Sequence, residues 1–247
     1  MKNIGVIQAR MGSSRLYGKI LYPLHGLPLL AILAQRIADA DVDRWWLATT
    51  GNREDDLTVA WGNALGWQVY RGNTTNVLSR FTAIIKKERP KYVVRLTADD
   101  PFTDSDVINK MLKQAHEMPS DKSLLIAGSD NGLPLGYPPG VVLAERLLEA
   151  ETEIPKNQSY HTSHVVSWLF TKNEHKRFVI PDDWPMRPNW RWTIDTMEDA
   201  KMVAAAFTLF GSEYSRLKYT DMVKRLDNRP DITSINANIR QKSLEEG

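Results

Sequence analysis

Residues 3–19, Asn3-Ile-Gly-Val-Ile-Gln-Ala-Arg-Met-Gly-Ser-Ser-Arg-Leu-Tyr-Gly-Lys19, decide the fold. Residues 3–9 are a short apolar run rich in β-branched side chains, which predicts a buried strand. The character then changes. Residues 10–19 hold two Gly, two Ser, two Arg and one Lys. Glycines let backbone N–H groups approach an oxyanion, and Arg and Lys neutralise phosphate charge. A buried strand running into a basic glycine loop therefore predicts an α/β sheet with an anion site at its carboxyl edge. Two familiar phosphate loops fail here. The P-loop needs four residues between Gly and Gly-Lys and then Ser or Thr; five separate Gly12 from Gly18-Lys19, and Ile20 follows. The Gly-x-Gly-x-x-Gly fingerprint of dinucleotide folds is absent. A kinase and a dinucleotide oxidoreductase are both weakened.

Downstream, apolar spacing predicts a helix over 27–40, a strand over 44–49, a helix over 54–65, a strand over 67–70 and a helix over 76–88. Pro90 stops that helix, and 92–96 reads as the next strand. Asp104 is a natural cap for a helix to about 117, and 124–127 is a further strand. This alternation predicts βαβ units, a mostly parallel sheet and helices on both faces. From residue 129 the rhythm breaks. The stretch 129–140 is rich in Gly and Pro and reads as a long excursion. Helices are expected at 144–151, 158–172 and 197–210, a strand around 190–194, and a last helix after Thr220 with Thr220 as its cap. The final ten residues read as frayed.

Composition bounds the function. The 247 residues, 42% hydrophobic and 25% charged, fit an ordinary globular chain. No run approaches the ~18 apolar residues of a membrane span, and the first residues are too polar for a secretory signal. Cysteine is absent, so thiolate catalysis, disulfides and Cys-ligated zinc are excluded. With 32 basic and 30 acidic residues, the chain is not built to coat nucleic acid. The expectation is a cytoplasmic enzyme or binding domain, with neither nucleic acid nor membrane as partner.

Two carboxylate positions complete a candidate site. Asp99 follows the strand at 92–96, and Asp195 ends the run Arg191-Trp-Thr-Ile-Asp195. Each alone could be a helix cap or a turn residue. Together with the glycine loop they make a metal–triphosphate constellation, with Mg²⁺ against the phosphates and Arg and Lys on the leaving group.

The segments IQARMGSSRLYGK, WWLATTGNREDD, VYRGNTTNVLSRF, VVRLTADDPFTDSDVI and RWTIDTMEDA, in that order, resemble the SpsF-like cytidylyltransferases, relatives of the CMP-sialic acid and CMP-Kdo synthetases. The resemblance runs over roughly residues 3–210. It implies a three-layer α/β/α Rossmann-like nucleotide-diphospho-sugar transferase fold, a single domain over 1–247 with an excursion at about 129–192, and a homodimer. It also implies Mg²⁺-dependent transfer of CMP from CTP to a sugar acid, with release of pyrophosphate, for surface-polysaccharide synthesis. On that likeness Arg15 and Lys19 are catalytic with Asp99 and Asp195, the last two also holding the metal. Ala9, Arg10, Gly12, Ser13, Thr49, Thr50, Arg71 and Arg80 face the nucleotide. Arg95, Tyr137 and His164 are the acceptor residues, with Arg95 free either to pair with Asp99 or to reach an acceptor carboxylate.

Three departures stand out. Tyr17 replaces a Pro, which would have pre-set the loop. Asp100 replaces a Cys and adds a carboxylate beside Asp99. Pro139 replaces an Asp in GYPPGVVL, in the region expected to recognise the acceptor. His161 and His164 share a helical face, but no third ligand is evident, so a structural or acceptor role outweighs a metal site. The alternation of Trp184, Trp190 and Trp192 with Arg187 and Arg191 reads as core packing or an oligomer contact rather than a nucleic-acid surface. Two rival functions remain: a glycosyltransferase using a nucleotide-sugar donor, and a nucleotide-binding protein without turnover.

Overall fold

The computed structural model describes residues 2–241. Seven strands form the main sheet: β1 Asn3–Gln8, β2 Arg44–Thr50, β3 Gln68–Gly72, β4 Tyr92–Thr97, β5 Leu124–Ile126, β6 Gly140–Leu143 and β7 His175–Arg177. Their order across the sheet is β3-β2-β1-β4-β6-β5-β7. Only β6 runs against its neighbours, pairing antiparallel with both β4 and β5. Chain order reverses between β1 and β4, which pair in parallel from Asn3↔Tyr92 to Gln8↔Thr97. An α/β sheet opens its ligand crevice at such a reversal.

Helices cover both faces. On one lie α1 (Leu29–Arg36), α2 (Asp56–Ala64), α4 (Ser105–His116), α8 (Met197–Phe210) and α9 (Tyr219–Asp227). On the other lie α3 (Val77–Glu88), α5 (Ala144–Glu153) and two short helices, α6 (Tyr160–His164) and α7 (Ser167–Thr171). Each face has its own apolar core, because successive strand residues point to opposite sides. Ile4, Val6, Trp46 and Val93 pack toward α3, and Ile7, Leu47, Val94 and Leu96 toward α1 and α4.

Local chemistry fixes the boundaries. Asn76 caps α3 by accepting from the Ser79 N–H at 2.9 Å, and Arg89 ends it at φ 51° just before Pro90. Asp104 caps α4 through the Val107 N–H at 3.1 Å, as its position predicts.

The later chain departs from expectation at five places. Gly140–Leu143 enters the sheet as β6, within the region read as an excursion. His175–Arg177 adds the edge strand β7. The helix expected over 158–172 is two helices, broken at Val165 (φ 58°, ψ −59°), where the Val166 N–H bonds the His164 carbonyl at 2.6 Å. Residues 190–194 are not a strand and make a single bridge, Leu135 to Arg191. The last long helix starts at Tyr219 with Lys218 at its cap position, not at Thr220. Of the ten residues read as frayed, 242–247 lie outside the described residues.

Candidate active site

All four loops at the carboxyl ends of β1–β4 gather over the reversal point. The loop after β1 is tied to the strand beside it. Ala9 N–H bonds the Ala48 carbonyl at 3.2 Å, and Ser13 and Gly18 N–H both bond the Met11 carbonyl at 2.9 Å. Gly18 sits at φ 69°, a conformation that suits glycine, and it delivers Lys19 into a single 3-10 turn.

Asp55, which sequence reasoning passed over, anchors this loop. It is fully buried. It accepts from the Met11 N–H at 2.7 Å, from the Thr50 hydroxyl and from the Thr58 hydroxyl at 3.4 Å. Its only sequence signal is an acid one turn past a strand end. Asp55→Ala leaves the Met11 N–H and Thr50 hydroxyl unsatisfied inside the protein. The expected cost is about 2–3 kcal/mol in a denaturant melt, together with a several-fold rise in KM for the nucleotide as the loop loosens. A change in stability with no change in KM would separate Asp55 from the site.

The loop's cations meet both carboxylates. Lys19 Nζ pairs with Asp99 and lies 2.8 Å from Asp195 Oδ1. Arg15 Nη2 reaches the same Asp195 oxygen at 2.8 Å. Burial works against the Lys19 charge, but Asp99 and Asp195 outweigh it and hold its pKa above the ordinary lysine value. Burial likewise pushes Asp195 up, and Lys19, Arg15 and Arg191 together pull it below an ordinary carboxylate. Asp195 reaches Asp99 because its segment is stitched in from two sides. The Leu135 N–H donates to the Trp190 carbonyl at 3.0 Å and its carbonyl accepts from the Trp192 N–H at 2.8 Å, and the Ile194 N–H donates to the Asp99 carbonyl at 2.9 Å. Asp195 is not the cap of α8. Thr196 caps that helix in a reciprocal pair with Asp199, which leaves the Asp195 carboxylate to face Lys19 and the arginines.

Asp100, the added carboxylate beside Asp99, is engaged by hydroxyls. It accepts from the Thr97 and Thr193 hydroxyls, and burial, then Asp99, push its pKa up to about 7. It faces Gly136, where a Cβ would stand 2.8 Å from the Asp100 oxygen and 2.7 Å from Thr193, on a φ of +85°. Only glycine lets that turn approach so closely.

Among the residues expected to face the nucleotide, Arg80 is 2% exposed. It donates to the Ala48 carbonyl at 3.1 Å and leaves Nε without a protein partner. Burial, then neighbouring Arg10, push its pKa down to about 10. Arg10 is exposed and donates to the Thr74 carbonyl at 3.5 Å. Thr49 is buried with a partnerless hydroxyl. Gly12 packs against Glu54, whose carboxylate oxygen a Cβ would meet at 3.0 Å, and the Ser13 hydroxyl faces the Leu16 N–H at 3.5 Å. Arg71 is placed otherwise than expected. Its guanidinium is spent on the loop itself, on the Thr50 carbonyl at 3.1 Å, the Asn52 carbonyl at 2.7 Å and Asp56 at 2.6 Å.

The acceptor residues do not converge. Arg95 bonds Gln8 Oε1 at 3.1 Å rather than Asp99, and its Nε is buried without a partner. His164 ends α6, which is tied to the loop after β3 through Ser163 and the Thr75 carbonyl at 3.1 Å. Tyr137 is wholly buried. Its hydroxyl donates to Asp104 at 2.9 Å, and its ring stacks on Tyr219. It reaches no ligand surface, so its expected place at the acceptor is corrected. Tyr137→Phe should cost about 1–2 kcal/mol in stability and leave the acceptor KM unchanged; a raised KM would return Tyr137 to the site. His161 is also buried, with Nδ1 2.8 Å from Ser167 Oγ. The Trp/Arg alternation is split: Trp184, Trp192 and Arg191 are buried, with Trp192 stacked on Phe102 at 4.5 Å and Arg191 on carboxylates, whereas Arg187 and Trp190 are half-buried and lie against each other.

Comparison with known proteins bears on the family and the fold. A family model described as cytidylyltransferase matches residues 4–180. The spore coat polysaccharide biosynthesis protein SpsF of Bacillus subtilis (strain 168) is 31% identical over 93% of this chain and 95% of its own. A cytidylyltransferase structure from Leptospira borgpetersenii superposes with a TM-score of 0.86 at 24% identity, covering 98% of this chain and all of the other. The CMP:2-keto-3-deoxy-manno-octonic acid synthetase solved with CTP shares the fold at a TM-score of 0.59 and 17% identity, over 84% of this chain and 99% of its own. No helix among the described residues is long and apolar enough to cross a membrane.

Proposed function

The chain belongs to the cytidylyltransferase family, and from that premise we propose that it transfers CMP from CTP to a sugar acid or similar small acceptor and releases pyrophosphate. The observation that carries the proposal is the convergence of Lys19 and Arg15 from the glycine loop on Asp99 and Asp195 at the sheet's reversal point. An acceptor hydroxyl oxygen attacks the α-phosphorus and gives up its proton to solvent. The new O–P bond forms as the bond to the β-phosphate oxygen breaks, and its electron pair leaves on pyrophosphate. Lys19 and Arg15 stabilise that developing charge, and Arg10 and Arg80 bind the nucleotide side. Surface-polysaccharide synthesis is the setting that SpsF suggests.

The donor set fits a hard divalent cation. Two carboxylates already share one cation, the Lys19 ammonium, and no group of three or more potential ligands occurs among the described residues. Mg²⁺ is commonly held by one or two carboxylates, with phosphate and water completing its shell. Asp99 and Asp195 would hold it. When bound, such an ion neutralises phosphate charge and lowers the acceptor hydroxyl's pKa. A homodimer belongs to the same reading, with Val179 and Met186, both 62% exposed on the 129–192 excursion, as available apolar contacts. A solution mass of one chain would remove that part.

The test is pyrophosphate release from CTP, UTP, GTP and ATP with a panel of sugar acids and sugar phosphates, with and without EDTA. Release with CTP and one acceptor, abolished by EDTA and restored by Mg²⁺, is expected. Transfer from a nucleotide-sugar would replace the proposal with the glycosyltransferase reading, and CTP binding with no turnover on any acceptor would favour the binding protein.

A further inference from the structure

We propose that the C-terminal segment is a positioning element for the transfer. Asn236 fixes Arg191, and Arg191 aims Asp195 at the cations of the glycine loop. The inference rests on the assignment of Asp195 to nucleotidyl transfer.

Arg191 is 6% exposed, and its three nitrogens point to three partners. Nη2 holds Asp195 Oδ2 at 2.5 Å, Nε holds Asp199 Oδ1 at 2.8 Å, and Nη1 meets Gln241 Oε1 at 2.5 Å. The two oxygens of Asp195 are thereby divided. Oδ2 belongs to Arg191, and Oδ1 is the one that meets Lys19 and Arg15. Arg191 thus decides which way the carboxylate faces.

What decides the orientation of Arg191 lies beyond α9. A four-residue helix, Pro230–Thr233, follows α9 and brings Asn236 back under the site. Asn236 is 2% exposed. Its amide donates to the Arg191 carbonyl at 3.0 Å and to Asp199 Oδ1 at 2.8 Å. Asp199 is fully buried, and its other oxygen accepts from the Asp195 and Thr196 N–H groups at 3.0 and 2.9 Å. Every polar atom in this cluster that faces Asp195 is engaged, and a satisfied buried network holds a single geometry. Asn236 is neutral, so it orients the network without altering its charge. Aspartate, of nearly equal volume, would set an acceptor against two acceptors. Sequence alone gives no hint of this, because the partners of Asn236 lie 45 and 37 residues before it.

The test compares Asn236→Ala, Asn236→Asp and Gln241→Ala with Tyr219→Phe. Tyr219→Phe removes a buried hydroxyl bond to the Pro185 carbonyl and does not touch the network. For each variant, Mn²⁺ binding is measured by electron paramagnetic resonance in the presence of CTP, and kcat, KM and the half-saturating Mg²⁺ concentration are read well below the melting temperature. Residues that orient metal-holding groups typically change affinity or activity by about 10–100-fold. Asn236→Ala should weaken Mn²⁺ and lower kcat by roughly 10-fold, at the low end of that range, with little change in KM for CTP. Asn236→Asp should do more. Gln241→Ala, at an exposed residue, should move both in the same direction and carries the test if Asn236→Ala does not fold. Variants that only melt earlier, as Tyr219→Phe should, would overturn the inference. If wild-type protein makes no pyrophosphate, the transfer reading fails, and the Mn²⁺ series still decides whether Asn236 governs Asp195. No Mn²⁺ binding by wild type would overturn both.

Discussion

Replacing Lys19 by alanine is expected to lower kcat/KM for CTP by roughly 10²–10³-fold, the loss usual for a group that stabilises charge only as it develops. The same change should have a second, opposite effect. In the structure the Lys19 ammonium sits between Asp99 and Asp195 and pairs with both. Without it, two carboxylates face one position, and a divalent cation is the obvious replacement. Lys19→Ala should therefore bind Mn²⁺ in the absence of nucleotide more tightly than wild type, while turning over far more slowly. Arginine should not rescue it, since a planar fork cannot replace a compact point charge in this nearly closed space. Mn²⁺ titration alongside pyrophosphate kinetics reads both effects. A rate loss under about 10-fold, small beside the usual effect of such a group, would remove Lys19 from the reaction.

Asp195→Ala should be the most damaging single change, because it acts on both activity and stability. Its carboxylate is the counter-ion shared by Lys19, Arg15 and Arg191, and Asp195 is only 8% exposed. Removing it takes a counter-ion from all three, though Lys19 keeps Asp99 and Arg191 keeps Asp199, and breaking buried pairs of this kind costs about 3–5 kcal/mol. Activity should fall by roughly 10³-fold, as the metal-holding and charge-positioning roles are lost together. The sign with pH follows from the depressed pKa. Asp195 contributes stability above its ordinary value of 3.8 and loses it as pH falls through the lower folded value. The wild-type acid limb should therefore be steeper than that of Asp195→Ala in denaturant melts across pH. Equal limbs would mean that Asp195 is not ionically held. Asp199 cannot substitute, because both its oxygens are already engaged by Arg191, Asn236 and backbone N–H groups.

How far each feature could be read follows from the range of its physics. The alternation of strands and helices through residue 126, the cap at Asp104, and the stop at Pro90 are local. Each depends on side-chain periodicity or on a bond spanning a few residues, so the sequence alone determined them. The glycine loop was legible for the same reason, since strand, glycines and cations are consecutive. After residue 129 the deciding partners are distant. Gly140–Leu143 becomes a strand because β4 and β5 each offer it an edge. Trp190–Ile194 fails to become one because its bonds go to Leu135 and Asp99 instead. Tyr137 looked available to a ligand, yet the pull of Asp104, Tyr219 and Trp192 buries it. Sequence alone thus determined the class of fold, the basic glycine loop proposed to bind phosphate, and the two carboxylate positions proposed to work with it. Only the tertiary structure decided that Lys19 stands between those carboxylates and that Arg71 serves its own loop. It alone decided that Asp55, Arg191, Asp199 and Asn236 hold the site in place, because hydrogen bonds and ion pairs between residues remote along the chain leave no periodic trace in the sequence.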